Sequence, residues 1–103
     1  MGAAVKGYLD AVILAVLAGG ALHGYAVIEE LKARSGGELD LPEGTVYPAL
    51  HRLERRGLLR SSWTTGEGRR RRIYRLTASG RRELASRTRE WRTFARVVDG
   101  VLP

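Results

Sequence analysis

The sequence predicts a mainly α-helical domain with one small β-hairpin (an α+β fold), and three observations indicate this fold class. An amphipathic helical run covers residues 43–56, a run of strand-forming residues follows it, and a glycine-rich turn with four consecutive arginines interrupts that second run. A helix followed by a basic hairpin is typical of a winged helix-turn-helix, in which the helix enters a DNA groove and the hairpin grips the neighbouring backbone. The pattern therefore favours a nucleic-acid-binding protein over an enzyme.

Length and charge agree with this interpretation. We expect the 103 residues to form one compact unit, with a DNA-binding part over residues 1–77 and a C-terminal dimerisation helix over residues 78–103. The net charge of +7 is unevenly placed, because residues 51–103 carry fifteen arginines against five acidic residues. This basic half suits a phosphate backbone, although a solvated face that only confers solubility would have the same composition.

Other classes of protein are disfavoured by the composition. Cysteine is absent, so the sequence predicts no disulfide and no thiolate metal site. The apolar run of residues 11–21 is too short to span a membrane and lacks the pattern of a signal peptide, so we expect a cytoplasmic protein. His23 and His51 are the only histidines, and no carboxylate pair or nucleophile motif accompanies them. We therefore predict no enzyme activity, no cofactor and no metal site.

Two helices are predicted before the amphipathic run. The first covers about residues 5–18, where Val5 and the apolar residues after it recur at helical spacing. It is apolar on more than one side, so we expect one face to meet its own domain and the other to meet a second subunit. The second helix covers about residues 24–34, with Val27 and Leu31 in its buried stripe.

The third helix, over about residues 43–56, has two distinct faces. Val46, Leu50 and Leu53 cluster on one side, which predicts that they face the core. Pro48 lacks the N–H that a helical residue donates, so we expect a short or distorted first turn. Apolar residues inward and basic residues outward are the pattern that a recognition helix needs.

The residues predicted to contact DNA lie on the outer face of this helix and in the hairpin. On the helix they are Thr45, Tyr47, Pro48, His51, Arg52 and Arg55. His51 and Arg52 either read base edges or contact only phosphate, and Tyr47 either bonds a phosphate or packs within the domain. The hairpin strands are predicted over residues 58–65, with Trp63 in the core or at its rim, and over residues 72–76. Four consecutive basic residues after the turn would neutralise phosphates, namely Arg69, Arg70, Arg71 and Arg72.

A heptad seam marks the last helix, which is predicted over about residues 78–99 with Thr77 as its N-cap. The members of the seam are Leu84, Thr88, Trp91, Ala95, Val98 and Leu102. Little of the domain is left for this seam to pack on, so we expect a second subunit, although the seam could instead fold back on the first helix. Trp91 either fills the interface or stacks on a flat aromatic ligand.

Three segments together resemble the PadR family of bacterial transcriptional regulators, in particular its compact subfamily with a single C-terminal helix. They are His23-Gly24-Tyr25, the run from Gly44 to Glu54 with Gly57-Leu58-Leu59, and Arg71-Arg72-Ile73-Tyr74-Arg75-Leu76-Thr77 with Gly80. The resemblance implies a winged-helix homodimer that represses transcription from a palindromic operator in double-stranded DNA. It also implies that the first and last helices form the dimer interface.

The resemblance further implies a site for a small planar effector at the dimer centre. Trp91 falls at the position of a tryptophan that stacks on planar compounds in multidrug-binding members of the family. The other implied pore residues are Asp10, Ala11, Leu14, Leu84, Thr88, Ala95 and Val98. Ala95 stands where those members have an acidic residue, so a preference for cationic compounds would depend on Asp10, which could partly substitute. The alternative function is a winged-helix module that binds nucleic acid without sequence preference, or mediates protein interaction, and senses no effector.

Overall fold

The structure is a computed structural model that describes residues 2–103, with side chains described from residue 7 onward. Its elements are α1 Gly2–Leu17, β1 Leu22–His23, α2 Gly24–Arg34, α3 Glu43–Arg55, β2 Leu59–Gly66, β3 Arg69–Leu76 and α4 Ala78–Val101. The predicted fold class is confirmed, because the described residues form four helices and one small antiparallel sheet. Helix α1 begins earlier than predicted, and the side chain of Val5 lies outside the described side chains.

The core lies where α1, α2 and α3 meet the sheet. Ile13 of α1 and Val27 of α2 have no exposed surface. The predicted inward face of α3 is confirmed, since Val46, Leu50 and Leu53 are also fully buried. Burial of each such aliphatic side chain contributes about 1.5–3 kcal/mol to the free energy of folding. These contacts anchor α3 to the core, while the opposite face of the helix remains exposed to solvent.

Helix α3 accommodates Pro48 close to its start. The backbone N–H groups of Thr45 and Val46 both donate to the carbonyl of Pro42, at 3.0 and 3.1 Å. The first turn therefore mixes three-residue and four-residue hydrogen bonds, as is common at helix termini. Beyond Pro48 the helix continues to Arg55.

A short strand before α2 was not predicted. In β1, Leu22 pairs with Tyr74 and His23 pairs with Ile73, both in β3. The strand order is β1-β3-β2, so β3 is the central strand. Two residues are too few to show an alternating pattern, so this strand is defined only by its tertiary pairing. The pairing fixes the start of α2 to the base of the hairpin.

The hairpin between β2 and β3 is tighter than predicted. Its turn consists of Glu67 and Gly68, whose φ angles of 51° and 75° are both left-handed, as in a type I′ turn. The prediction began the second strand at Arg72, whereas β3 begins at Arg69. Arg69, Arg70 and Arg71 are therefore strand residues that alternate between two faces of the hairpin.

Helix α4 begins tightly against the hairpin. Thr77 is its N-cap as predicted: its Oγ1 accepts from the Gly80 N–H at 3.0 Å and donates to the Gly57 carbonyl at 2.7 Å. A Cβ on Gly80 would overlap the carbonyl oxygen of Leu58, so a glycine is required at this close approach. Leu84 then packs against the core.

The second half of α4 leaves a broad apolar face exposed. The exposed fractions are 47% for Trp91, 55% for Phe94, 61% for Val97 and 81% for Val101. Ala95 and Val98 of the predicted seam are only half-buried beside them. The heptad seam is thus one edge of a wider apolar face, and the helix extends to Val101 instead of ending near residue 99.

Candidate nucleic-acid interface

The outer face of α3 projects from the domain. Pro48, His51 and Arg55 are exposed, whereas Thr45 and Tyr47 are half-buried. Within the described part of the chain, His51 and Arg55 make no ion pair and no side-chain hydrogen bond. They lie one helical turn apart on the same side, so both can reach into a groove together.

Arg52, by contrast, is already engaged. Its Nη2 lies 3.0 Å from Oδ1 of Asp10 on α1, and Nη1 of Arg56 lies 3.5 Å from Oδ2 of the same carboxylate. Arg56 Nη2 also lies 4.0 Å from Oε1 of Glu83 on α4, and that oxygen lies 3.4 Å from Nε of Arg87. These five side chains form a line of alternating charges from α3 to α4, which we name the Asp10 network. A DNA phosphate would have to compete with Asp10 for Arg52.

Tyr47 packs against α2 and lines a groove between α2, α3 and β3. Its ring lies so close to Gly24 that a Cβ there would overlap it. Burial raises the pKa of the Tyr47 hydroxyl, and the carboxylate of Glu43 raises it further. The hydroxyl therefore stays protonated at neutral pH and can donate a hydrogen bond. Gly24, noted in the sequence only as part of a motif, is the residue that makes room for this ring.

Two of the wing arginines stack on Trp63. The guanidinium carbon of Arg70 lies 4.6 Å from the centroid of the Trp63 ring, and that of Arg72 lies 5.3 Å from it. Arg72 is further tied down, because its Nε donates to Ser61 Oγ at 2.7 Å and its Nη2 lies 3.6 Å from Glu54 Oε1. Trp63 is 54% exposed, so it lies on the hairpin surface and not in the core. The four arginines were predicted to have equivalent roles, but their surroundings in the structure differ.

The other two wing arginines occupy the opposite face of the hairpin, because Arg69 and Arg71 alternate with the stacked pair. Arg71 Nη1 lies 3.2 Å from His23 Nε2. His23 caps α2, since its Nδ1 accepts from the Ala26 N–H at 3.2 Å. The sequence did not identify His23 as a site residue, because its approach to Arg71 depends on the unpredicted strand β1.

A second site lies between α1 and α4. Trp91 meets Tyr8 edge to face, with ring centroids 4.7 Å apart. Beside this pair lies an apolar cavity of about 610 Å³, which Ala11, Leu84 and Thr88 also line. Further lining residues that the resemblance did not suggest include Tyr8, Leu39, Leu41, Arg87 and Arg92.

Four of the implied pore residues do not line this cavity. Leu14 is fully buried in the core of the single chain. Asp10 turns toward α3 because two arginines hold its carboxylate. Ala95 and Val98 lie one and two turns beyond Trp91, on the exposed half of α4.

Residues 13–86 match the family described as "Transcriptional regulator PadR-like family". The chain belongs to the PadR-like family. A curated relative, the transcriptional regulator Rv3488 of Mycobacterium tuberculosis, is 43% identical over 79 residues, which cover 77% of this chain and 71% of the relative.

Solved structures share the architecture. A transcriptional regulator from Clostridium thermocellum has a TM-score of 0.89 at 28% identity, covering 97% of this chain and 98% of that one. Bacillus subtilis PadR in complex with operator DNA has a TM-score of 0.69 at 30% identity, covering 76% of this chain and 45% of that one. This PadR-like chain is thus a winged-helix, DNA-binding transcriptional regulator and not an enzyme.

Two further features of the described residues bear on partners. None of their helices is long and apolar enough to cross a membrane. Their histidine and acidic side chains form no group of three that could hold a metal ion.

Proposed function

We propose that this PadR-like chain is a homodimeric repressor that binds a palindromic operator and releases it when a small aromatic effector binds at the dimer interface. The observation that carries the proposal is the apolar face of α4, which runs from the Trp91 cavity to Val101 and lies open to solvent. Contiguous apolar surface of this kind is typical of an interaction site.

A second copy of the chain is the partner that we assign to this face. The face is wider than the narrow seam that joins two helices, so α1 and α4 of the partner together would cover it across a two-fold axis. Ala95 and Val98 would then face the partner near the effector. In this arrangement residues 1–77 form the DNA-binding unit and residues 78–103 form the dimerisation helix.

The outer face of α3 and the wing would make the operator contacts. The residues proposed for them are Thr45, Tyr47, Pro48, His51, Arg52, Arg55, Arg69, Arg70, Arg71 and Arg72. The operator complex of Bacillus subtilis PadR supports this use of the fold. Because Arg72 is bonded to Ser61 and Glu54, we expect it to contribute least to DNA binding. Repression of bacterial genes would place the protein in the cytoplasm.

Effector binding would act through the angle between the two DNA-binding units. A planar ligand stacked on Trp91 contacts α4 and α1, the same helices that we propose to hold the dimer together. Such a ligand changes DNA affinity only by as much as it prefers one dimer geometry over the other. The proposed inducer therefore binds better to the geometry that does not fit the operator.

Operator recognition is tested by fluorescence anisotropy on the duplex upstream of the chain's own gene and on a scrambled duplex of equal length, at near-physiological salt. A specific repressor should prefer its operator by about a thousandfold or more. Equal affinity for both duplexes, with a steep loss as salt rises, would instead support the non-specific winged-helix module. Sedimentation equilibrium on the same sample measures whether the protein is a dimer.

Effector sensing is tested by adding 2-naphthoate or neutral 2-naphthol to the protein–operator complex and measuring the release of DNA. We expect at least one compound to release the operator, and we expect Trp91→Leu to abolish this response while the protein still binds DNA. If neither compound, nor other planar aromatics, alters DNA binding, the effector part of the proposal fails and the repressor part stands.

A further inference from the structure

The groove between α2, α3 and β3 brings the imidazole of His23 beside the guanidinium of Arg71, with Nε2 and Nη1 3.2 Å apart. It has a volume of about 680 Å³ and is lined by His23, Gly24, Tyr25, Glu29, Tyr47, Tyr74 and the arginines Arg69 to Arg72. The groove adjoins the start of α3 through Tyr47. It therefore lies beside the face that we assign to the operator.

The His23 ring makes two contacts that place its nitrogens between α2 and β3. Nδ1 accepts a hydrogen bond from the Ala26 N–H at 3.2 Å, and Nε2 lies 3.2 Å from Nη1 of Arg71, whose side chain has only donors. A neutral imidazole that uses Nδ1 to cap α2 carries its proton on Nε2. In that tautomer Nε2–H and the Arg71 guanidinium are two donors that lie side by side.

Among the described residues, no acidic side chain forms an ion pair with Arg71. Glu29 is the acidic residue that lines the groove, and it forms no ion pair with Arg71 among the described residues. The spacing of the two donors is also not accidental. His23 pairs with Ile73 in the β1–β3 ladder, and Arg71 lies two residues from Ile73 on the same face of β3. The sheet register therefore holds both side chains side by side.

We propose that His23 and Arg71 together bind one phosphate group of the DNA backbone, with an oxygen accepting from His23 Nε2–H and from the Arg71 guanidinium. An anionic oxygen can accept from both groups at once, and an arginine fork suits the tetrahedral phosphate. The inference rests on the DNA binding of the family and assigns to His23 a role besides capping α2. Because both donors are carried by neighbouring strands, the site would set the position of α3 along the groove.

The test separates the two roles of His23. His23→Asn retains an N-cap acceptor but removes the ring donor, whereas His23→Ala removes both. We expect His23→Asn to keep the melting temperature within about 2 °C of wild type, consistent with preserved capping. Its affinity should fall about threefold to tenfold on operator and scrambled duplex alike, since the contact is to the backbone.

The salt dependence identifies the partner. Loss of a neutral donor should leave the slope of log affinity against log salt unchanged, whereas Arg71→Ala should reduce its magnitude by about 0.9. In an Arg71→Ala background, His23→Asn should cost less than twofold, because both groups serve one phosphate. Additive losses, or wild-type affinity in His23→Asn with an unchanged melting temperature, would overturn the proposal.

A free anion is the competing source of the same chemistry. Inorganic phosphate is titrated into the DNA-free protein while the His23 ring is followed by ¹⁵N NMR. We expect no saturation below about 10 mM, because one neutral and one charged donor bind an isolated anion weakly in water. Saturation at lower concentration, with DNA affinity untouched by His23→Asn, would assign the site to free phosphate. Wild-type protein that binds no duplex would refute the proposed function itself, which is a different result.

Discussion

Asp10→Asn should strengthen DNA binding, although it removes a side chain that the sequence associated with the effector pore. The Asp10 carboxylate, whose side chain is 14% exposed, holds both Arg52 of α3 and Arg56, which caps the C-terminus of α3. An asparagine keeps the shape but removes the charge, so Arg52 becomes available to DNA phosphate or to a base. The same substitution weakens the link between α1 and α3, so stability and DNA affinity should change in opposite directions.

The size of the effect follows from the exposure of the pair. Two charges at this distance attract by several kcal/mol at an effective dielectric constant of about 20, but solvent and salt screen an exposed pair strongly. The Arg52 side chain is 45% exposed, so a measured coupling of about 0.2–1 kcal/mol is appropriate. Freeing Arg52 should therefore raise DNA affinity by about 1.4-fold to 5-fold. Because two ion pairs are lost, the free energy of unfolding should fall by about 0.4–2 kcal/mol.

Fluorescence anisotropy at low and near-physiological salt measures the affinity, and urea unfolding measures the stability. Glu83→Gln is the matched control, because it removes one negative charge from the Asp10 network without touching Arg52. The gain must also disappear when Asp10→Asn is combined with Arg52→Ala. If Asp10→Asn leaves DNA affinity unchanged, or if Glu83→Gln raises it equally, then Asp10 does not compete with DNA for Arg52.

Three further outcomes are expected. Arg69→Ala should reduce the magnitude of the salt slope of DNA binding by about 0.9. Arg72→Ala should leave that slope nearly unchanged and should lower the midpoint of urea unfolding. Equal slope changes in the two variants would contradict the division of the wing into two faces. Phe94→Asp with Val101→Asp should give monomers in sedimentation with an unchanged circular dichroism spectrum, since both side chains are exposed in the single chain, and a surviving dimer would place the interface elsewhere. Gly24→Ala should lower the free energy of unfolding by about 1–3 kcal/mol through overlap with the Tyr47 ring, and wild-type stability would show that this ring moves freely.

Prediction from the sequence succeeded for features that depend on the residue pattern within a single helix. The inward face of α3 was evident because Val46, Leu50 and Leu53 repeat with the helical period, and Thr77 was evident as a cap. Strand β1 was missed because two residues carry no period. The four arginines of the wing were predicted, but their division between two faces of the hairpin was not. Four identical residues in a row show no alternating pattern, and the division depends on where the turn ends.

The candidate site was harder to predict because its contacts join distant parts of the chain. Asp10 meets Arg52 across 42 positions, and Arg71 meets His23 across 48 positions. No local spacing encodes such pairs. The burial of Leu14 likewise depends on how α1 packs against the rest of the domain. Residue type therefore indicated which side chains bear charge, and only the tertiary fold determined which of them remain free.

The chain contains two tryptophans, and they lie in different chemical surroundings. Trp63 lies between two guanidinium groups on the wing, while Trp91 lies against Tyr8 at the cavity. Each indole is about half exposed, at 54% and 47%, so its emission should respond to whatever covers it. A Trp63→Phe protein and a Trp91→Phe protein would therefore each report optically on one end of the molecule. No dye label would be needed to follow events at the wing and at the cavity separately.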